Sequence, residues 1–276
     1  MNTIIRNLDF GDKDIQKKYV KGAEPMLYLR SRDVGVLMLH GFTATPYQFK
    51  DLRDFLMLKG ITVFTPLMAG HGTEPIDLYK TSIDDWISST DEAYQKLKSQ
   101  VKKIVVIGNS FGGNLAFHLG VKNDNSLRGI VSLGTPIYLK YDKFIKFRAY
   151  TYGWVQKYYK KRRRHYITNF TESSEVIAYP IIPTKSLRNF LQFIKYFTIP
   201  GLKNVTTPSL IIHGDKDPVV HPRSVQYLHQ HLRSKNKKVL WLDGKIHSLP
   251  NIDNKEALFE VIYSFIKEST ENEDAI

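Results

Sequence analysis

Three short stretches carry residue types that can do chemistry together. Gly108-Asn109-Ser110-Phe111-Gly112 is a G-x-S-x-G pattern, which composition alone produces in roughly one chain of this length in ten. Its setting gives it meaning. It follows the apolar run IVVI at 104–107 and precedes a helical apolar pattern at Leu115, Ala116 and Leu119. A strand-to-helix turn this tight needs glycines, holds the serine hydroxyl at its tip, and puts the N–H of Phe111 at a helix N-terminus. A serine is a weak nucleophile until a base takes its proton, so an acid and then a histidine are expected downstream. His213-Gly214-Asp215-Lys216-Asp217 follows the run LII at 210–212, and Asp243-Gly244-Lys245-Ile246-His247 follows VLWL at 239–242. Both would hang from strand ends along one sheet edge. Asp217 is the expected acid, because Asp215 is better suited to closing the turn through its own backbone. His247 is the expected base. The plainer readings are an N-capping serine and two ordinary turn aspartates.

Acyl chemistry also needs two N–H donors for an oxyanion, each typically worth about 3 kcal/mol in the transition state. Phe111, just after the serine, would supply one. The loop His40-Gly41-Phe42-Thr43-Ala44-Thr45-Pro46 after the first long strand would supply the other through Phe42. His40 and His71 are expected to brace loops, His118 to be structural, and His229 and His231 to be solvated on a helix. There is no H-E-x-x-H, no G-x-x-x-x-G-K-[ST] and no G-x-G-x-x-G after the first strand, so no metal and no cofactor is called for.

These residues must be held by something. Strand candidates are 34–39, 62–64, 104–107, 129–133, 210–212 and 239–242, most of them continuously apolar, as parallel strands buried on both faces are. Between them, Leu52, Phe55 and Leu56 share a helical face, as do Ile83, Trp86, Ile87, Thr90, Tyr94 and Leu97. Leu258, Val261, Ile262 and Phe265 mark a closing helix. This alternation predicts helices on both faces of a mostly parallel sheet. It breaks between Thr135 and Pro208, where no strand is convincing. There Pro180, Pro183 and Pro200 frame a helix carrying Leu187, Phe190, Leu191, Ile194 and Phe197. The expected organisation is a core of 1–134 and 209–276 with a helical cap, 135–208, over the strand ends, where open α/β sheets bind ligands.

The 276 residues are 42% hydrophobic and 24% charged with no cysteine, which suits a globular domain without disulfides or thiolate chemistry. The net charge of +13 is concentrated: 138–165 holds ten Lys/Arg against Asp142, a local +9 that leaves +4 for the rest. A fold-wide nucleic-acid surface is therefore not expected. No apolar run approaches the roughly 18 residues of a membrane span, and the N-terminus is charged where a secretory signal would be apolar, so the expected location is cytoplasmic. From Lys143 to Arg164 the spacing predicts a helix with Phe147, Tyr150, Trp154 and Tyr158 on one side and Lys146, Lys157, Lys160, Lys161 and Arg164 on others. Such a helix can pack on the core with its cations solvated. It can also rest on an anionic membrane through Lys160, Lys161, Arg162, Arg163 and Arg164, or receive an anionic substrate.

Taken with VLMLHGFTATPYQF, PLMAGHGTEPIDL, IVVIGNSFGGNLAFHL, IPTKSLRNFLQFI, PSLIIHGDKDPVVHP and VLWLDGKIHSLPNID, the chain resembles the bacterial carboxylesterase and monoacylglycerol lipase branch of the α/β-hydrolases, from about Ala23 to Ile266. The resemblance implies the α/β-hydrolase fold with a small cap between the sixth and seventh strands. It also implies cofactor-free cleavage of short- to medium-chain esters, monoacylglycerols among them, by Ser110, Asp217 and His247 with an oxyanion hole at Phe42 and Phe111. A small-molecule ester or lipid is then the partner. A thioesterase or acyltransferase with the same triad, or a non-catalytic ligand receptor on the same scaffold, are the alternatives.

Overall fold

The computed structural model describes residues 5–6, 19–20, 22–151, 156–161, 178–244, 247, 250 and 255–271. In chain order the first half runs β1 (Ile5–Arg6), β2 (Met26–Tyr28), β3 (Val34–Leu39), α1 (Lys50–Leu58), β4 (Thr62–Thr65), α2 (Pro75–Lys80), α3 (Ile83–Lys98), β5 (Lys103–Asn109), α4 (Phe111–Gly120) and β6 (Leu127–Leu133). The insertion follows with α5 (Asp142–Tyr150), β7 (Tyr158–Lys160), β8 (Ile181–Pro183), α6 (Thr184–Phe193) and, after a π-turn, the single turn α7 (Ile199–Gly201). The chain then resumes with β9 (Ser209–Gly214), α8 (Arg223–His231), β10 (Lys237–Leu242) and α9 (Lys255–Glu271).

Eight strands form one sheet in the order β1-β2-β4-β3-β5-β6-β9-β10. From β4 to β10 every pairing is parallel, while β2 and β1 run antiparallel at one edge. The apolar runs form strands because successive residues feed two cores. On β3, Leu37 and Leu39 join Trp86, Phe111 and Leu115 on one side, while Val36 and Met38 join Leu52, Leu56, Leu258 and Ile262 on the other. Each such leucine, fully buried, contributes roughly 2 kcal/mol by area. Helix α3 begins where Ser82 and Asp85 cap each other reciprocally, which satisfies two backbone donors that have no partner inside the helix.

Three expectations need correcting. The insertion is not wholly helical: β7 and β8 pair antiparallel, Tyr159 opposite Ile182. The basic helix expected over Lys143–Arg164 ends at Tyr150, and Tyr158 and Lys160 lie in strand instead; Trp154 and Arg162, Arg163 and Arg164 fall outside the described residues. Helical spacing of aromatics did not discriminate here, since tyrosine also favours a half-buried strand. Lastly, β10 is not buried on both faces. It closes the sheet at the other edge, with Val239 and Trp241 exposed.

Candidate active site

β5 ends at Asn109 and α4 starts at Phe111, leaving Ser110 alone to turn the chain, with φ 51° and ψ −117°. A left-handed backbone at a residue with a Cβ costs on the order of 1–3 kcal/mol and survives only where the surroundings over-determine it. Here Ser110 N–H donates to Leu133 O at 2.7 Å and Gly113 N–H to Ser110 O at 2.9 Å. The elbow also packs directly on β3. A Cβ on Gly112 would lie 1.9 Å from the carbonyl oxygen of Leu39, so only glycine fits.

Beyond β9 and β10 lie the residues expected to be acid and base, Asp217 and His247. His247 Nδ1 lies 2.8 Å from Asp217 Oδ2, and Asp217 is fully buried. Its other oxygen accepts from the N–H groups of Val219 (2.7 Å) and Val220 (3.0 Å). Burial pushes this carboxyl's pKa up. The hydrogen bond and charge of His247, with the Val220 and Val219 N–H groups, outweigh it and hold the acid below its ordinary range. With Nδ1 engaged by the carboxylate, Nε2 is the nitrogen left to exchange a proton. The strand ends bring this pair beside the serine. Leu133 binds Ser110, and a Cβ on the next residue, Gly134, would meet His247 O at 3.5 Å and both Asp217 Oδ2 and His247 Nδ1 at 3.7 Å. No hydrogen bond joins Ser110 Oγ to His247 among the described residues; in unliganded sites such bonds commonly tighten only on substrate binding.

Asp215 does more than engage the backbone of its own turn at Lys216. Its Oδ1 accepts from Gly244 N–H at 2.7 Å, so it fastens the loop that carries His247 to the loop that carries Asp217. This bond, chiefly, lowers its carboxyl. Sequence reasoning also missed His213. Its Nε2, buried without a hydrogen-bond partner, sits 3.9 Å from Asp217 Oδ2, and its ring stands edge-on to Trp241. The signal was available: the residue lies inside β9, two positions before Asp215, where only a buried side chain fits.

The loop expected to supply the second oxyanion donor follows β3. A Cβ on Gly41 would touch Ser110 Cβ at 3.4 Å, which sets Phe42 beside the nucleophile across from Phe111. Two histidines brace this loop. His40 Nε2 accepts from Met68 N–H and its Nδ1 faces Gly41 O, while His71 Nε2 accepts from Thr43 N–H. Burial lowers His40 to about 4 and is also the chief cause that lowers His71, to about 3. Both are neutral, as ring nitrogens that accept hydrogen bonds must be. Phe42 stacks on Phe190 of α6 at 5.1 Å, and Phe111 meets Trp86, Phe190 and Phe193 edge-on within 5.4 Å. The insertion thus lends an aromatic wall to the site.

Residues 31–253 match the family model described as Hydrolase_4, serine aminopeptidase S33. The chain is 30% identical to the thermostable monoacylglycerol lipase of Bacillus sp. (strain H-257) over 84% of its own length and 89% of that protein's. It is 22% identical to a carboxylesterase of Bacillus subtilis (strain 168), over 85% and 93% respectively. Among solved structures, one from a study of the metagenome-derived lipolytic enzymes LipS and LipT superimposes with a TM-score of 0.82 at 25% identity, covering 91% of this chain and all of that one.

Proposed function

The chain belongs to the serine aminopeptidase S33 family of hydrolases, and from that premise we propose that it cleaves carboxylic esters through an acyl-enzyme on Ser110. Its relatives make it a serine hydrolase of the carboxylesterase and monoacylglycerol lipase kind. The observation that carries the finer reading is the Asp217–His247 hydrogen bond beyond β9 and β10, on the same sheet edge as Ser110. His247 takes the Ser110 proton as Oγ attacks the ester carbonyl. The N–H groups of Phe42 and Phe111 hold the oxyanion, and Asp217 orients the ring and stabilises its charged form. His247 then protonates the leaving alcohol, and water, activated by the same base, releases the acid.

The insertion 135–208 acts in this reading as a cap, with Phe190 and Phe193 offering apolar surface to a short or medium acyl chain, monoacylglycerols included. The test is hydrolysis of p-nitrophenyl esters from acetate to palmitate and of monoacylglycerols, with Ser110→Ala alongside. The variant should lose about 10⁴-fold or more in kcat and all labelling by a fluorophosphonate. Labelling that survives the substitution would refute the nucleophile.

A membrane role for the cap has its own support. Tyr141, Phe144 and Phe147 are more than half exposed, Tyr150 and Tyr196 nearly so or beyond, and Lys143 and Lys146 share α5 with them. Rings with interleaved cations favour an anionic interface. Lys161 does not belong to that surface, because its ammonium points to Thr43. Binding to phosphatidylglycerol vesicles that exceeds binding to phosphatidylcholine, and that salt weakens, is the expected result; equal binding to both would remove the idea.

A further inference from the structure

The oxyanion loop is held from the core side by the two histidines and from the cap side by a lysine. Thr43 lies at φ 66°, a conformation in which a β-branched residue is strained, and every polar group it has is engaged. Its N–H donates to His71 Nε2 at 3.0 Å, and its carbonyl accepts from Tyr179 N–H at 2.8 Å. Its hydroxyl donates to the carbonyl of Phe42 and accepts from Lys161 Nζ, both at 2.5 Å. Lys161 follows directly on β7, with its own N–H on Pro180 O, and Ala178 bridges Ala44. Both chain segments of the cap hairpin therefore converge on one residue of the oxyanion loop.

Resting on the reading of Phe42 N–H as an oxyanion donor, we propose that Lys161 is a positioning residue for the reaction: its ammonium, through the Thr43 hydroxyl, fixes the Phe42 carbonyl and with it the Phe42–Thr43 backbone. The relay has a direction. Because the hydroxyl gives its one hydrogen to Phe42 O, it must accept from Lys161, and each bond in such a chain polarises the next. Fixing the carbonyl of a residue whose N–H must point at developing charge supplies the preorganisation that oxyanion stabilisation depends on.

Packing alone gives no reason for a cation in this place. Burial lowers the Lys161 ammonium to about 7, a sign that the site disfavours the charge it holds. An apolar side chain of the same reach would fill the space without that penalty. The same contact makes the cap part of the catalytic apparatus, since Lys161 reaches Thr43 only when the hairpin is seated.

The experiment measures kcat and KM for p-nitrophenyl butyrate in Lys161→Met, Lys161→Arg, Thr43→Val and the double variant Lys161→Met/Thr43→Val. Lys161→Met should lower kcat by roughly 10- to 100-fold with KM changed by less than about threefold. Lys161→Arg should recover most of that loss, and the double variant should be no slower than Thr43→Val alone, because both act along one relay. Thermal unfolding of Lys161→Met should occur no lower than in the wild type. A kcat for Lys161→Met within about twofold of wild type, or a loss confined to KM, overturns the proposal. Should Lys161→Met not fold, Thr43→Val and Thr43→Ser decide: a slow valine variant beside a fast serine variant supports the relay, and equal rates overturn it. Ser110→Ala separates the two levels of failure. If it is inactive while Lys161→Met runs at full rate, only the relay is wrong; if it still hydrolyses the ester, the ester-hydrolase reading has failed as well.

Discussion

The elbow between β5 and α4 and the cap between β6 and β9 meet at the same site, yet they are built in opposite ways. The elbow is over-determined by local sterics: glycines pack against neighbouring backbone, and one serine is forced into a left-handed turn. The cap consists of a nine-residue helix with one buried side chain, a three-residue strand pair and a longer helix. It reaches the site through the side chains of Phe190, Phe193 and Lys161 and through main-chain contacts of Ala178 and Tyr179 with the loop after β3. In the function proposed above, the sterically fixed centre does the chemistry, while the insertion shapes access to it and, through the relay, completes it.

The sharpest way to break this comparison uses two aspartates separated by one residue. Asp217→Asn should lower kcat about 10⁴-fold, because His247 loses both its orienting partner and the charge that stabilises its protonated form. Asp215→Asn removes the charge from a hydrogen bond between two loops and from the contact with Lys216, and should act mainly on stability, with kcat little changed. Steady-state rates and urea midpoints for both separate the roles, and reversed effects would exchange them.

Next in size is Gly112→Ala. The added methyl would press into the Leu39 carbonyl, so a loss on the order of 3 kcal/mol in denaturant unfolding is expected. A melting curve like that of the wild type would mean that the elbow is less constrained than its contacts imply.

The dependence of stability on pH comes third. His40 and His71, lowered to about 4 and about 3, stay neutral in the fold while the unfolded chain takes up protons near 6.5. Burial shifts His118 and His213 the same way. Folded values below unfolded ones mean that the stabilisation is complete above about pH 6.5 and is lost as pH falls towards the folded values. The slope should reach about 1.4 kcal/mol per pH unit for each such group. Urea midpoints between pH 7 and 4.5 test this above the range where the lowered carboxyls respond, and a flat profile there would contradict neutral histidines at the oxyanion loop.

The smallest effect belongs to the cap. Phe147→Ser, at an exposed position of α5, should move stability by no more than about 0.5 kcal/mol. It should still weaken any vesicle binding, and a large loss of stability would show that α5 is buried in solution.

What the sequence disclosed follows the same division. G-x-S-x-G, the aspartates after LII and the histidine after VLWL were legible because the turn geometry constrains residue types locally and the strands announce themselves as apolar runs. Trp86, Thr90, Tyr94 and Leu97 likewise face the core from one helix, as their spacing predicts. Asp215 was read only in part, because its second partner, Gly244, is remote in sequence and becomes a neighbour only when β9 and β10 pair. The cap misled for a related reason. Tyr158–Lys160 is strand because Ile181–Pro183 lies opposite, and no local pattern encodes that partner. Lys161 read as one cation in a basic run, when its meaning depends on a threonine 118 positions away.

The left-handed turn at Ser110 has a further consequence, for what selection can preserve. A glycine there would release strain of roughly 1–3 kcal/mol, set against about 0.5–1 kcal/mol of extra backbone entropy lost on folding. Ser110→Gly should therefore melt above the wild type while hydrolysing nothing, and scanning calorimetry would show whether it does. A lineage selected for durability alone would drift towards that glycine and keep the scaffold while discarding the reaction. If Ser110 is the nucleophile proposed above, only a demand for turnover would retain the serine, because thermodynamic stability by itself would not.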